Sequence, residues 1–410
     1  MNISSNLLSF ITMKPSFTEL LTLYRSELLD RVVPFWMENA IDRRNGGICT
    51  CITDEGRIIN EDKYLWSQLR AIWTFAALYN RIDKKKEWLE IAENIYAFVS
   101  AHGRNEKGEW VFSVSKEGEI LQDAVSIFAD GFAILGLTEL AHATGRQDVI
   151  DLAVETYENV KCRLSVPGSY RTDPYPLPAG IKAHAVSMIF SLAFNELGHY
   201  LESHEIIDES LRHAGDVMRV FLRPEHRKLF EYVHDDNSLI DSPRGRSVVP
   251  GHTIESMWFM IHIYRREGNS ERIAQAIEAI RWHIELGWDN EYGGILLAVD
   301  SEGGDPWWKY ADTKLWWPHT EAIYALLLAC SITGETWCRE WLTRVHDYAF
   351  THFPVAGFNE WTQKLDRFGN KIGDTVALPV KDPFHLPRAL MFSIDVLQEI
   401  LRKKKQDESS

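Results

Sequence analysis

Two kinds of apolar pattern alternate along the chain. Stretches such as KKEWLEIAENIYAFVSA space Trp88, Ile91, Ile95 and Phe98 three or four residues apart, and ERIAQAIEAIRWHIEL does the same with Ile273, Ile277, Ile280 and Ile284. That is the period of a helix with one buried face. Between them run SIFADGFAILGLTEL, AHAVSMIFSLAFNEL, GHTIESMWFMIHIY and KLWWPHTEAIYALLLA, apolar almost all the way round. A helix of that kind is surrounded on every side. Such inner helices are predicted to begin near Lys63, Ser126, Ala183, Gly251, Lys314 and Phe384, each preceded by a Gly- or Asn-led, aromatic-rich strand-turn segment. The segments anchor at Ile48 (NGGICTCITDEG), Trp110 (KGEWVFSVSKEG), Tyr170 (PGSYRTDP), Leu229 (RKLFEYVHDD), Ile295 (YGGILLAVDSEG) and Trp361 (FNEWTQKLDRFG), at separations of 62, 60, 59, 66 and 66 residues. A repeat of this length is one supersecondary unit being stacked. Six units of one inner and one outer helix close into an (α/α)6 barrel, an all-α fold. Short β-hairpin loops collect at the end where the inner helices start, around the mouth of a central cavity.

Composition narrows the function without changing that picture. A chain of 410 residues could hold two or three domains, but the repeat spans it, so one domain is expected over 1–410, with flexible ends at 1–15 and 402–410. The net charge of -15 disfavours nucleic acid or an anionic membrane as partner, because both require a basic face. The five cysteines are scattered and lack a matching Cys or His pair at metal-ligand spacing, so reduced thiols and no metal are expected. The N-terminal MNISSNLLSFITM has no basic start and reads as a poor signal peptide, and no apolar run reaches the length of a membrane span. A cytoplasmic protein acting on a small molecule is the expectation. If it assembles, a homodimer is the default.

Against such apolar inner helices, ionisable residues carry the signal, because a buried charge costs several kcal/mol unless it is paired. Arg70 lies two turns after Lys63 in the first inner helix; His252 and Glu255 are at i and i+3 in the fourth; His319 and Glu321 open the fifth; His385 and Arg388 are at i and i+3 in the sixth. A histidine titrates near neutrality and can both take and give a proton. Two of them across a cavity can remove a proton from one face of a carbon and return it to the other. The carbanion must delocalise into an adjacent carbonyl, whose developing charge an arginine can hold. The expected catalytic group is therefore His252, His385, Arg70 and Glu255. Lys63, Trp66, Trp73, His184, Trp258, Trp316, His319, Glu321 and Arg388 are expected to contact substrate, Glu321 chiefly by organising a neighbouring Arg or Lys. No cofactor is expected.

At these residues the sequence resembles the N-acylglucosamine 2-epimerase family. The resemblance runs from ELLDRVVPFWMENAIDRRNGGICTCITDEGRIINEDKYLWSQLRAIW through VVPGHTIESMWF and KLWWPHTEAIYALL to DPFHLPRAL. It implies an (α/α)6 barrel and epimerisation at C2 of a reducing sugar in its open-chain form. It also implies an enediolate-stabilising role for Arg70, paired acid/base roles for His252 and His385, and a supporting role for Glu255. The WWPHTE form points to interconversion of N-acyl-D-glucosamine and N-acyl-D-mannosamine. His184 stands about a turn earlier than the histidine that related hexose enzymes carry in this helix. The alternatives are a mannose/glucose 2-epimerase or mannose–fructose isomerase of the same family, a glycoside hydrolase or lyase on the same barrel, and a binding protein that has kept the barrel. Hydrolysis needs two carboxylates flanking the bond, and Asp130, Glu255 and Glu321 form no clear pair in sequence.

Overall fold

The computed structural model describes residues 14–166, 168–373 and 381–408. In chain order the helices are α1 (Phe17–Ser26), continued by a π-helical stretch into α2 (Val33–Asn39), α3 (Leu65–Ala77), α4 (Lys86–His102), α5 (Phe128–Thr144), α6 (Gln147–Leu164), α7 (His184–Tyr200), α8 (His204–Asp216), α9 (Pro250–Arg266), α10 (Ser270–Gly287), α11 (Trp316–Thr333), α12 (Thr336–His352) and α13 (His385–Glu408). Odd-numbered helices from α3 to α13 pack side by side as an inner ring, and α4, α6, α8, α10 and α12 each back the inner helix before them. The outer partner of α13 is α1, so the two ends of the chain complete one hairpin. The ring closes where Trp73 of α3 meets Phe384 and Phe392. The architecture is the (α/α)6 barrel, and no described helix is long and apolar enough to cross a membrane.

Burial follows the two sequence patterns. Every residue of α5 from Phe128 to Ala141 is buried, as is every residue of α11 from Pro318 to Ala329. In α4 only the stripe of Trp88, Ile91, Ile95, Phe98 and their neighbours is inside. Each fully buried large apolar side chain on these faces contributes about 1.5–3 kcal/mol.

The strand-turn segments stitch the repeats into a ring. Lys63–Tyr64 pairs with Ser113–Val114, Ile181–Ala183 with Tyr232–His234, Ser247–Val248 with Val299–Asp300, and Lys314–Leu315 with Lys364–Leu365, all antiparallel. Each strand that leads into an inner helix thus bonds the hairpin of the next repeat. The last junction closes on the first, with the Lys381 N–H donating to the Thr50 carbonyl at 2.7 Å. Five of the six anchors (Ile48, Trp110, Leu229, Ile295, Trp361) are the residues that bridge back to the end of the preceding outer helix. The third copy differs: Tyr170 makes no such bridge to the end of α6 among the described residues, and Ser126–Thr172 is the pairing between the segment leading into α5 and the next repeat.

Two expectations about the ends change. Lys14 and Pro15 are tied to α12 through Glu340 and Arg339. The basic run expected to be a loose end continues α13 as far as Glu408, helped by an i,i+4 pair between Glu399 and Lys403. Residues 1–13 lie outside the described residues.

Candidate active site

A cavity of about 220 Å³ opens where the inner helices begin. It is lined by Trp66, Ser67 and Arg70 of α3, Phe128 and Phe132 of α5, Ala185, Met188 and Ile189 of α7, His252 and Glu255 of α9, Trp316 and Trp317 of α11, and His385 of α13. All lie in the first two turns of their helices, so six separate stretches of sequence converge on one chamber. Loop residues Tyr175, Trp308, Gln363 and Asp382 complete the wall.

The two histidines are held alike. His252 donates from Nδ1 to Oε2 of Glu231 at 3.2 Å, and His385 from Nδ1 to Oε1 of Glu321 at 2.8 Å. In both rings Nε2 is left for the cavity. Trp317 lies against both, its ring centroid 5.3 Å from that of His252 and 5.5 Å from that of His385. Their electrostatics differ. Burial opposes a charged His252, but the charge and hydrogen bond of Glu231 outweigh it and raise the pKa above 6.5. Burial, reinforced by the positive fields of Arg70 and Arg388, overrides the carboxylates near His385 and pushes it down to about 3. The partial positive charge at the start of α9 and α13 favours a neutral ring. For His252 a buried carboxylate in contact is the stronger influence.

Glu231 itself is desolvated, yet the neighbouring His252 and His184 bring its pKa down to about 2. A carboxylate depressed on folding stabilises the protein above its unfolded value, 4.5, and that contribution fades as pH falls toward 2. A raised histidine contributes below its unfolded value, 6.5, and fades as pH rises through its folded value. Glu231→Gln is therefore expected to cost about 1.5–3 kcal/mol, most of it between the two unfolded values and less on either side. Urea unfolding of both proteins across that range is the check. A difference that does not vary with pH would show that Glu231 does not pair with a charged ring.

Behind His385 sits a buried ion cluster. Arg388 donates from Nη2 to Oε1 of Glu255 and, at 2.7 Å, to Oε1 of Glu321, while Trp258 Nε1 donates to Oε2 of Glu321 at 2.8 Å. The ligand atoms of Glu255, Glu321 and His385 lie within 4.8 Å of one another, a spacing that could hold a cation. The Arg388 guanidinium bonds both carboxylates there, so the protein supplies the positive charge itself. Arg70 reaches the cavity through a sleeve of Trp66, Phe132 and Phe384 rings and pairs with Asp382 at 3.3 Å.

The structure brings Arg70, His252, Glu255, His385, Trp66 and Trp316 together on the cavity wall. Other expected substrate contacts are elsewhere. Lys63 is fully buried and pairs with Asp42 at 2.8 Å; its counterpart four repeats on, Lys314, pairs with Asp289 at 3.2 Å. Both clamp a hairpin, and the glycines beside them fit that role: Gly47 and Gly294 have φ of +81°, and a Cβ would strike Gln68 or Tyr348. His319 accepts from the Ile295 N–H at 2.8 Å and donates to the Leu315 carbonyl at 2.6 Å, so both ring nitrogens are committed to backbone. Gln68, five residues after Lys63 as His319 is five after Lys314, does the same for Ile48. Trp73, Trp258 and Arg388 line a separate hollow with Phe392. His184 is fully buried, with Nε2 3.0 Å from Ser256 Oγ and Nδ1 3.9 Å from Glu231. Glu321 stands behind His385 and reaches the cavity only through it.

Sequence reasoning missed Glu231, Asp382 and Trp317 as site residues. Glu231 and Asp382 lie inside quoted segments, RKLFEYVHDD and DPFHLPRAL, and the available signal was a carboxylate directly between aromatic residues for Glu231 and one three residues ahead of His385 for Asp382. Trp317 follows Trp316 in KLWWPHTEAIYALLLA, where spacing alone does not separate a wall residue from a core one.

The (α/α)6 barrel thus presents two carboxylate-backed histidines and an arginine to one chamber from the starts of its inner helices, a set of groups able to take and give protons. The sequence profile of the N-acylglucosamine 2-epimerase (GlcNAc 2-epimerase) family matches residues 46–389, and the chain belongs to that family. It is 28% identical over 390 residues to the N-acylglucosamine 2-epimerase of Homo sapiens, covering 92% of this chain and 90% of that one. To the N-acylglucosamine 2-epimerase of Mus musculus it is 27% identical over 398 residues, covering 92% and 91%. Among solved structures, cellobiose 2-epimerase from Bacillus thermoamylovorans B4167 shares the fold with a TM-score of 0.81 at 20% identity, covering 92% of this chain and 99% of that one.

Proposed function

We propose that the protein is a carbohydrate epimerase that interconverts N-acyl-D-glucosamine and N-acyl-D-mannosamine at C2 of the open-chain sugar. The observation that carries the reading is the pair of histidines facing one chamber, each with Nδ1 held by a buried glutamate. One ring takes the C2 proton, the electron pair delocalises onto O1 as an enolate, and the other ring returns a proton to the opposite face. Arg70 holds O1 through charge-assisted hydrogen bonds. Because His385 is held toward its neutral form and His252 toward its charged form, the resting enzyme favours the direction in which His385 is the base. The glutamates orient the rings, and Arg70 and Arg388 supply the positive charge that lets the step run without a metal. Phe132, Met188 and Ile189 on the cavity wall offer apolar surface for the acyl methyl group.

Turnover in heavy water is expected to place deuterium at C2 of the product epimer. A panel of N-acetylglucosamine, N-acetylmannosamine, glucose, mannose, fructose and cellobiose, followed by chromatography, is expected to show conversion of the N-acyl sugars. Product without deuterium at C2 would sink the proton-transfer mechanism. Conversion of unsubstituted sugars alone would reassign the substrate.

A further inference from the structure

C2 of an aldose is acidic only when C1 is a carbonyl, whereas a hexosamine in water is overwhelmingly a closed pyranose. Something must open the ring before either histidine can act. Asp382 stands where that step would occur. Its side chain is 7% exposed and lines the cavity beside Arg70 and His385. Oδ2 accepts from Arg70 Nη1 and from Ser67 Oγ, each at 3.3 Å. Oδ1 is buried and has no hydrogen-bond partner among the described residues. A buried carboxylate oxygen without a donor is costly and calls for an explanation. On a cavity wall, a ligand hydroxyl supplies one.

Arg70 decides which hydroxyl. Charge develops on O1 when C2 is deprotonated, so O1 belongs at the Arg70 guanidinium and therefore beside Oδ1 of Asp382. In the closed sugar that oxygen still carries its proton. A role confined to holding Arg70 fits poorly, because it would leave a fixed negative charge next to the enolate. Two like charges in contact repel strongly where water is largely excluded. The repulsion disappears if Asp382 has already taken the O1 proton.

We propose that Asp382 is the base for ring opening, and that the protein therefore interconverts the α and β anomers of its sugar independently of the C2 chemistry. Oδ1 takes the proton from O1, and the O1–H pair becomes the second bond of the C1 carbonyl. The C1–O5 pair leaves with O5, which takes a proton from solvent water at the open mouth. Closure runs these transfers backwards, and attack on either carbonyl face yields either anomer. The inference rests on the reading that the site takes a reducing sugar.

The test is exchange between the α and β anomers of N-acetylglucosamine, measured by saturation transfer in proton NMR with catalytic amounts of protein. Wild type and the H252N/H385N double variant are both expected to accelerate exchange by about 10²-fold or more over buffer. Asp382→Asn in either background is expected to fall to the buffer rate. Buffer-rate exchange with wild type, or wild-type exchange with Asp382→Asn, overturns the proposal. If Asp382 only holds Arg70, Asp382→Asn slows epimerisation and leaves anomer exchange untouched, which also overturns it. Should Asp382→Asn not fold, Asp382→Glu keeps a carboxylate at the site: exchange above the buffer rate supports the assignment, and its loss in a folded protein counts against it. Anomer exchange without epimerisation would sink the 2-epimerase reading and leave Asp382 in its role. Epimerisation without anomer exchange would sink only this inference.

Discussion

Replacing His385 with asparagine is expected to lower C2 epimerisation by about 10²–10⁴-fold, the usual contribution of a positioned acid or base. The substitution is chosen for what it leaves in place. An asparagine amide can still donate toward Glu321, so the bond now made by Nδ1 at 2.8 Å keeps a partner and the buried carboxylate is not stranded. What is lost is Nε2, the nitrogen left for the cavity. Near-native circular dichroism and thermal unfolding should therefore accompany the loss of turnover. A second readout separates a catalytic from a structural role. With His252 intact, the epimer whose C2 hydrogen faces His252 should still exchange that hydrogen with heavy water, without becoming the other epimer. Turnover within tenfold of wild type would remove His385 from the reaction. Loss of exchange from both epimers would mean that the substitution disturbs more than one proton acceptor.

The second large effect is on stability. Arg388→Met is expected to destabilise the fold by about 3–5 kcal/mol, because it leaves Glu255 and Glu321 as buried carboxylates without their shared cation. Both are nearly inaccessible, with side chains 6% and 1% exposed, so water cannot take the place of the guanidinium. Methionine fills much of the same volume among Trp258, Phe259 and Phe384, so the loss reports charge and not a cavity. The same change removes one of the positive fields that hold His385 near 3, so its pKa should climb toward the usual 6.5. A histidine depressed on folding costs stability as pH falls below its unfolded value, because the unfolded chain then binds the proton that the folded one refuses. The variant should lose less on acidification than wild type, while the acid limb of its activity moves toward neutrality. Urea unfolding and a pH–rate profile measure the two effects. A stability change under about 1 kcal/mol would show that the cluster is not an obligatory charge pairing.

The barrel is legible because its signal is periodic and local. Whether a helix reads as striped or apolar all round depends on its own residues, and Ile48, Trp110, Leu229, Ile295 and Trp361 mark the same bridge in successive repeats. The third copy departs from this rule, since Tyr170 makes no such bridge among the described residues and only the pairing to the segment ahead of α5, Ser126–Thr172, remains. The histidines, Arg70 and Glu255 are legible for a related reason: each breaks an apolar helix near its start, and helix starts share one end of the ring. The same rule misassigns Lys63 and His319, which break the pattern equally but turn outward to clamp a hairpin. Comparison within the repeat could have separated them, since Lys314 and Gln68 occupy the matching positions.

By itself, then, the sequence determined the number and order of the helices, the end of the ring at which chemistry would gather, and the residue types available there. Those follow from periodicities that a chain carries along its own length. Only the tertiary structure decided which polar side chain faces the chamber and which faces its neighbours. It also decided that Glu231 backs His252 while Glu321 backs His385, and that one ring is held toward its charged form and the other away from it. These depend on contacts between residues 21 and 64 positions apart, and on burial, which sets the strength of a charge and has no counterpart in spacing.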